Sequence, residues 1–169
     1  MKRRVYDEEG HGHFVTFSCF GRRRLLDHDR PKEIVVEILA DQVAKQDARC
    51  YGFVVMPDHV HALVWFPAPG ELSAFIKQWK QRSSFQIKRF LAAGLEKYAG
   101  TFDNREPIWQ RGFYDFNVYS PRVALEKLNY MHWNPVRAEL VQTPSEWMFS
   151  SARFYDEGKF VGVSISGDI

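Results

Sequence analysis

The chain has 169 residues, 45% hydrophobic and 26% charged, with a formal charge of +2; this fits one globular domain whose core needs no cross-links, and bulk charge gives no sign of a nucleic-acid partner. Two cysteines without CxxC spacing exclude a disulfide framework and a four-cysteine zinc site. No apolar run nears the roughly 20 residues that span a bilayer, and Met1-Lys-Arg-Arg4 leads into Asp7, Glu8 and Glu9, so membrane insertion and export are excluded and a cytoplasmic setting is expected.

His13 to Phe20 is β-branched or aromatic with rough alternation, which predicts a first strand leaving into the basic loop Gly21-Arg22-Arg23-Arg24. Pro31 suits a first helical turn, and Ile34, Val35, Ile38, Leu39 and Val43 recur at helical spacing to about Ala48. Tyr51 to Met56 and His59 to Phe66 flank Pro57-Asp58 and read as a hairpin. Leu72, Phe75, Ile76, Trp79, Ile87, Phe90 and Leu91 predict a second helix between Gly70 and Gly94. Phe113 to Tyr119 alternates as a fourth strand, and Ser120-Pro121 is an N-cap with proline at the first helical position. The third helix is expected to run toward Asn134 and to stop at Pro135. Thr143-Pro-Ser-Glu146 is a capping box expected to open a last helix through Trp147, Phe149 and Phe154, with Gly158 beyond its end. The order β-α-β-β-α-β-α predicts an α+β fold, a ferredoxin-like split βαβ antiparallel sheet with packed helices. One domain is expected over residues 1–158, with a loose tail over 159–169.

Within Met56-Pro-Asp-His-Val-His-Ala-Leu-Val-Trp65, the strand period puts His59, His61, Leu63 and Trp65 on one face and Val60, Ala62 and Val64 on the other. The two imidazoles stand about 6.5 Å apart along the strand, within reach of one divalent ion. The residues alone equally fit two polar side chains on a half-exposed strand. In Tyr130-Met-His-Trp-Asn134, the i, i+4 spacing turns the phenol and the carboxamide to one helical face. Alone, that pair also fits an ordinary helix end, with a packed tyrosine and an asparagine before proline.

Together these segments resemble the single-strand tyrosine transposases of the HUH endonuclease class. Met56-Pro-Asp-His-Val-His61 is similar to their His-hydrophobic-His motif. Tyr130-Met-His-Trp-Asn-Pro-Val-Arg-Ala-Glu-Leu-Val141 is similar to the nucleophile helix of the REP-associated branch. With Ile108-Trp-Gln-Arg-Gly112 and Ser150-Ser-Ala-Arg153 the resemblance spans roughly residues 12 to 156. The insertion-sequence branch carries glutamine four residues after its tyrosine, where this chain has Asn134, and Glu139 stands where many relatives have glycine. The resemblance implies that His59, His61 and Asn134 bind Mg²⁺ or Mn²⁺ and that Tyr130 is the nucleophile. It further implies a 5′-phosphotyrosine intermediate, a hairpin substrate with a flanking single-stranded tetranucleotide (the repetitive extragenic palindrome), action as a monomer, with a dimer left open, and a place at the bacterial nucleoid. His132 points elsewhere on the helix and is not assigned as a base. Tyr114 and Tyr119 compete for the nucleophile's role, but on a strand they are explained by packing or stacking.

Lys77, Lys80, Arg82, Lys88 and Arg89 lie in an acid-free stretch of the second helix, which with Arg22, Arg23 and Arg24 is the expected DNA-phosphate surface. A solvated helix face explains the same residues. Trp109, Trp133, Trp147 and Arg153 are candidates for contacts with unpaired bases, with core packing as the alternative. The rival function is a non-catalytic nucleic-acid-binding module in which aromatics on the sheet stack bases; a metal-dependent phosphodiesterase using water would not need Tyr130.

Overall fold

The computed structural model describes residues 10–93 and 103–169. Four strands, β1 (Gly12–Ser18), β2 (Arg49–Val55), β3 (His59–Trp65) and β4 (Tyr114–Val118), form one sheet in the order β2-β3-β1-β4. Every neighbouring pair is antiparallel, so the chain adopts the expected ferredoxin-like α+β plan. The helices are α1 (Asp29–Lys45), α2 (Leu72–Ala92), α3 (Pro121–His132), α4 (Asn134–Arg137) and α5 (Ala152–Glu157). The end of the second helix at Gly94 and the basic residues Met1 to Arg4 lie outside the described residues. No described helix is long and apolar enough to cross a membrane.

Strand alternation decides which helix meets which face. Val15 and Phe17 of β1 and Val60, Ala62 and Val64 of β3 join α1 and α2 in the main core. Phe14 and Leu63 point the other way, where they meet Ala124, Leu128 and Met131 of α3. Each buried aliphatic side chain contributes about 1.5–3 kcal/mol, so the two clusters fix α1 and α2 on one face and α3 on the other.

One position lets α3 approach. Gly52 follows a bulge in β2, and a Cβ there would stand 2.3 Å from Leu128 Cδ2 and 2.9 Å from Ser151 Oγ. Any larger residue would have to displace those side chains, which seat α3 on the sheet.

Three expectations about the C-terminal third are corrected. Pro135 does not stop the third helix: the chain turns at Trp133 and α4 restarts at Asn134, with Pro135 in its first turn, where a missing N–H removes no helical bond. The end of α4 is a Schellman cap, Leu140 N donating to Pro135 O at 3.0 Å and Glu139 N to Val136 O at 2.9 Å, which puts Glu139 at φ +58°.

Thr143 to Glu146 makes only a 3₁₀ turn, and Trp147 is extended, so the last helix starts at Ala152. The outer edge of β2 takes the intervening residues: Val55 N donates to Phe149 O at 2.8 Å, and Val54 pairs with Ser150. Gly158 ends α5 in the left-handed region, as expected.

The residues after Gly158 are not loose. Ile165 pairs with Cys50 on the same edge of β2, Ser166 N donates to Cys50 O at 2.8 Å, and Val163 is buried. Unpaired backbone groups of an edge strand are what such a segment satisfies.

Candidate active site

β3 projects His59 and His61 from its α3 face, their rings 4.7 Å apart. Each imidazole is oriented through Nδ1. His59 Nδ1 donates to Asp58 Oδ1 at 2.6 Å, and His61 Nδ1 lies 2.6 Å from Thr16 Oγ1 of β1, its register partner. With Nδ1 the donor in each ring, both Nε2 atoms are left as acceptors. Burial pushes the His61 pKa down to about 3, with His59, Arg22, Arg137 and Lys127 adding to the effect. Burial also lowers that of His59, against the pull of Asp58. Both rings are therefore neutral at physiological pH, the form that binds a cation.

The loop after β1 closes on this pair. Cys19 N donates to Asp58 O and Leu26 N to Pro57 O, tying the loop to the β2–β3 turn. Arg22, held at φ +56°, donates to Ser18 Oγ at 2.9 Å and pairs with Asp58 Oδ2 at 3.1 Å. Arg22, Asp58 and His59 thus form one chain of contacts.

α3 and α4 supply the opposite wall. Ser120 Oγ caps α3 by accepting from Val123 N, and the packing around Gly52 sets the helix height. Lys127, Tyr130 and Asn134 share one stripe and open into a cleft of about 540 Å³ with His59, His61 and Arg22. Tyr130 is 49% exposed, and its ring meets His61 edge-on at 5.6 Å and Phe14 at 6.1 Å. Arg137 lies 4.8 Å above that ring and donates to the Tyr130 carbonyl. Asn134 Nδ2 approaches His59 Nε2 at 3.3 Å.

Two imidazole nitrogens and a carboxamide can together hold a divalent cation. His61 Nε2 is buried with no hydrogen-bond partner, the His59 ring beside it is oriented by a carboxylate, and the Asn134 carboxamide, which here turns Nδ2 to His59, would offer its oxygen on rotating about its terminal bond. Among the described residues no three His, Cys, Asp or Glu side chains gather to hold an ion; the group that stands beside the two histidines is the Asn134 amide.

The remaining residues singled out from sequence divide. Arg22 reaches the cleft, and Trp133, 47% exposed, stands beside Asn134. Arg23 pairs with Glu106 and Arg24 with Asp27. The basic helix α2 lies on the far side of the sheet from the histidines, so it does not line the cleft. There Lys80 holds the carbonyls of Gln110 and Gly112, Arg82 pairs with Asp41, and Lys88 bonds Asn104 O; Lys77 and Arg89 remain exposed.

Trp109 is buried against Phe17 and donates to Ser83 Oγ, so it is a core residue and not a base-stacking surface. Trp147 donates its indole N–H to Val55 O, and Arg153 turns to Met148 and Glu157. Tyr114 also lines the cleft, whereas Tyr119 lines a separate groove near the start of α3. His132 faces away, as expected: it meets Ser151 Oγ at 2.7 Å, and burial lowers its pKa to about 4.

Sequence reasoning missed Lys127 and Arg137. Their i−3 and i+7 spacing from Tyr130 was the available signal.

A family described as IS200-like transposases matches residues 8–129 of this chain, ending one residue before Tyr130. A Haemophilus influenzae protein provisionally named a REP-associated tyrosine transposase is 26% identical over 160 residues, covering 83% of this chain and 88% of that protein. The REP-associated tyrosine transposase of Escherichia coli is 24% identical over 152 residues, covering 88% and 80%. A solved structure described as a REP-associated tyrosine transposase bound to a REP hairpin superposes with a TM-score of 0.71 at 20% identity, covering all of this chain and 94% of that one; at that identity the likeness concerns the fold.

Proposed function

This chain belongs to the IS200-like transposase family, and we propose that it cleaves and rejoins single-stranded, hairpin-bearing DNA with Tyr130 as nucleophile. The observation that carries the reading is the convergence of Tyr130 and Asn134 from one helical stripe upon the paired histidines of β3. Curated relatives bearing the name REP-associated tyrosine transposase favour a REP-type hairpin as the substrate class.

In this reading Tyr130 Oη attacks a backbone phosphorus. The tyrosyl O–P bond forms as the P–O3′ bond breaks, the phenolic proton passes to solvent, and the departing 3′ oxygen takes one up. The 5′ end stays on the protein as a phosphotyrosine ester, and a 3′-hydroxyl attacking that ester rejoins strands without ATP. His59, His61 and Asn134 would hold Mg²⁺ or Mn²⁺, which when bound neutralises charge on a non-bridging phosphate oxygen. Asp58 and Thr16 keep the histidines in the ligating tautomer, and Trp133 offers an exposed face to an unpaired base.

The non-catalytic alternative needs an open aromatic sheet face, yet α1 and α2 cover one face and α3 packs on the other. The reading is tested by incubating the chain with Mn²⁺ and either a hairpin oligonucleotide with a single-stranded flank or a perfect duplex of the same sequence. Cleavage confined to the hairpin is expected; equal cleavage of both contradicts it.

A further inference from the structure

We propose that Lys127 is a phosphate-binding residue of the cleft, placed to hold a non-bridging oxygen of the phosphodiester that Tyr130 attacks. The inference rests on the tyrosine-nucleophile reading and deepens it. Lys127 lies one turn before Tyr130 and two before Asn134, so the three project into the cleft together.

Its ammonium rests 4.0 Å from the Phe116 ring centroid and 5.1 Å from that of Phe14. Phe14 is also the ring that stacks on His61 and meets Tyr130 edge-on. Ring faces hold a cation by their quadrupole and leave its N–H donors available. Among the described residues Lys127 has neither a carboxylate partner nor a hydrogen bond. The other cations at the cleft are engaged: Arg22 by Ser18 and Asp58, Arg137 by the Tyr130 carbonyl. An ammonium with three available donors, beside the attacking phenol, is complementary to a phosphate anion.

K127M keeps the aliphatic stem over Phe116 and removes the charge; K127R keeps the charge. In single-turnover reactions with a hairpin oligonucleotide and Mn²⁺, K127M is expected to form the covalent adduct about 10- to 100-fold more slowly than wild type, and K127R to recover most of the rate. A structural role would also slow K127M, so affinity is compared in EDTA for the normal oligonucleotide and for one with a neutral methylphosphonate at the scissile linkage. Wild type is expected to prefer the charged linkage about 10-fold, and K127M to bind both alike. K127Q carries the same comparison if K127M fails to fold.

An unchanged adduct rate in K127M, or a phosphate preference that K127M retains in full, overturns the proposal. An adduct surviving in Y130F overturns instead the reading on which it rests. The two failures are distinguishable because the affinity comparison involves no cleavage.

Discussion

Asn134 Nδ2 lies 3.3 Å from His59 Nε2, although 75 residues separate them. Their proximity joins the strand that carries the histidines to the start of α4, just beyond the helix that carries Tyr130. The orientation of His59 and His61 depends in turn on Asp58 and Thr16.

Asp58→Asn and Thr16→Val should each weaken Mn²⁺ binding by about 10- to 100-fold with the fold intact, because each loosens the tautomer and aim of one imidazole. Titration of free Mn²⁺ by electron paramagnetic resonance reads the affinity directly. Wild-type affinity in both variants would remove the metal assignment's structural support.

Gly52→Ala places a Cβ against Leu128 and Ser151. Overpacking of this kind costs about 1–3 kcal/mol, and here it disturbs the side chains that seat the helix carrying Tyr130. Urea unfolding should show the loss of stability, and single-turnover assays should show slower adduct formation. A variant as stable and as fast as wild type would mean that α3 does not need this close approach.

Acid should destabilise the fold through its buried histidines. An unfolded histidine takes a proton near pH 6.5, whereas folded His132 waits until about 4. Between those values the unfolded chain binds more protons, so this contribution is present above pH 6.5 and is lost as pH falls toward 4. His132→Gln should reduce the pH slope of unfolding free energy in that window by up to about 1.4 kcal/mol per pH unit. Urea midpoints measured from pH 7 to 4.5 check it; equal slopes would contradict the burial assigned to His132.

Glu139→Gly should stabilise the protein by about 0.5–1 kcal/mol, since a left-handed residue closes the Schellman cap and glycine reaches that conformation without Cβ strain. The gain is partly offset by the unfolded freedom of glycine. Thermal unfolding measures it, and a lowered melting temperature would count against the strain.

Local periodicity makes the centre of the site legible and its surroundings less so. The parity of His59 and His61 follows from a strand's period, and the shared face of Tyr130 and Asn134 from a helix's, so both can be read from the amino-acid order alone. Periodicity shows which residues share a helix face, not which side of the sheet that helix covers. The cations of α2 therefore carry no local sign that they lie across the sheet from the histidines. Trp109 and Trp133 are alike in sequence, yet one is sealed against Phe17 and the other is half exposed, because tertiary contacts alone decide burial. The capping box at Thr143 yields to pairing with the edge of β2 at Phe149 and Ser150, a long-range competitor invisible to a local motif.

The central claim, that Tyr130 forms the covalent bond to DNA, is tested most directly by trapping the adduct. Wild type and Tyr130→Phe are incubated with a 3′-labelled hairpin oligonucleotide and Mn²⁺, denatured and separated by size. The substitution removes one hydroxyl from a half-exposed ring and little volume, so folding and DNA affinity should persist. A labelled protein–DNA band is expected for wild type alone, with mass spectrometry placing the nucleotide on the peptide that contains Tyr130. An adduct that survives Tyr130→Phe, or that maps to Tyr114, the other tyrosine lining the cleft, would contradict it.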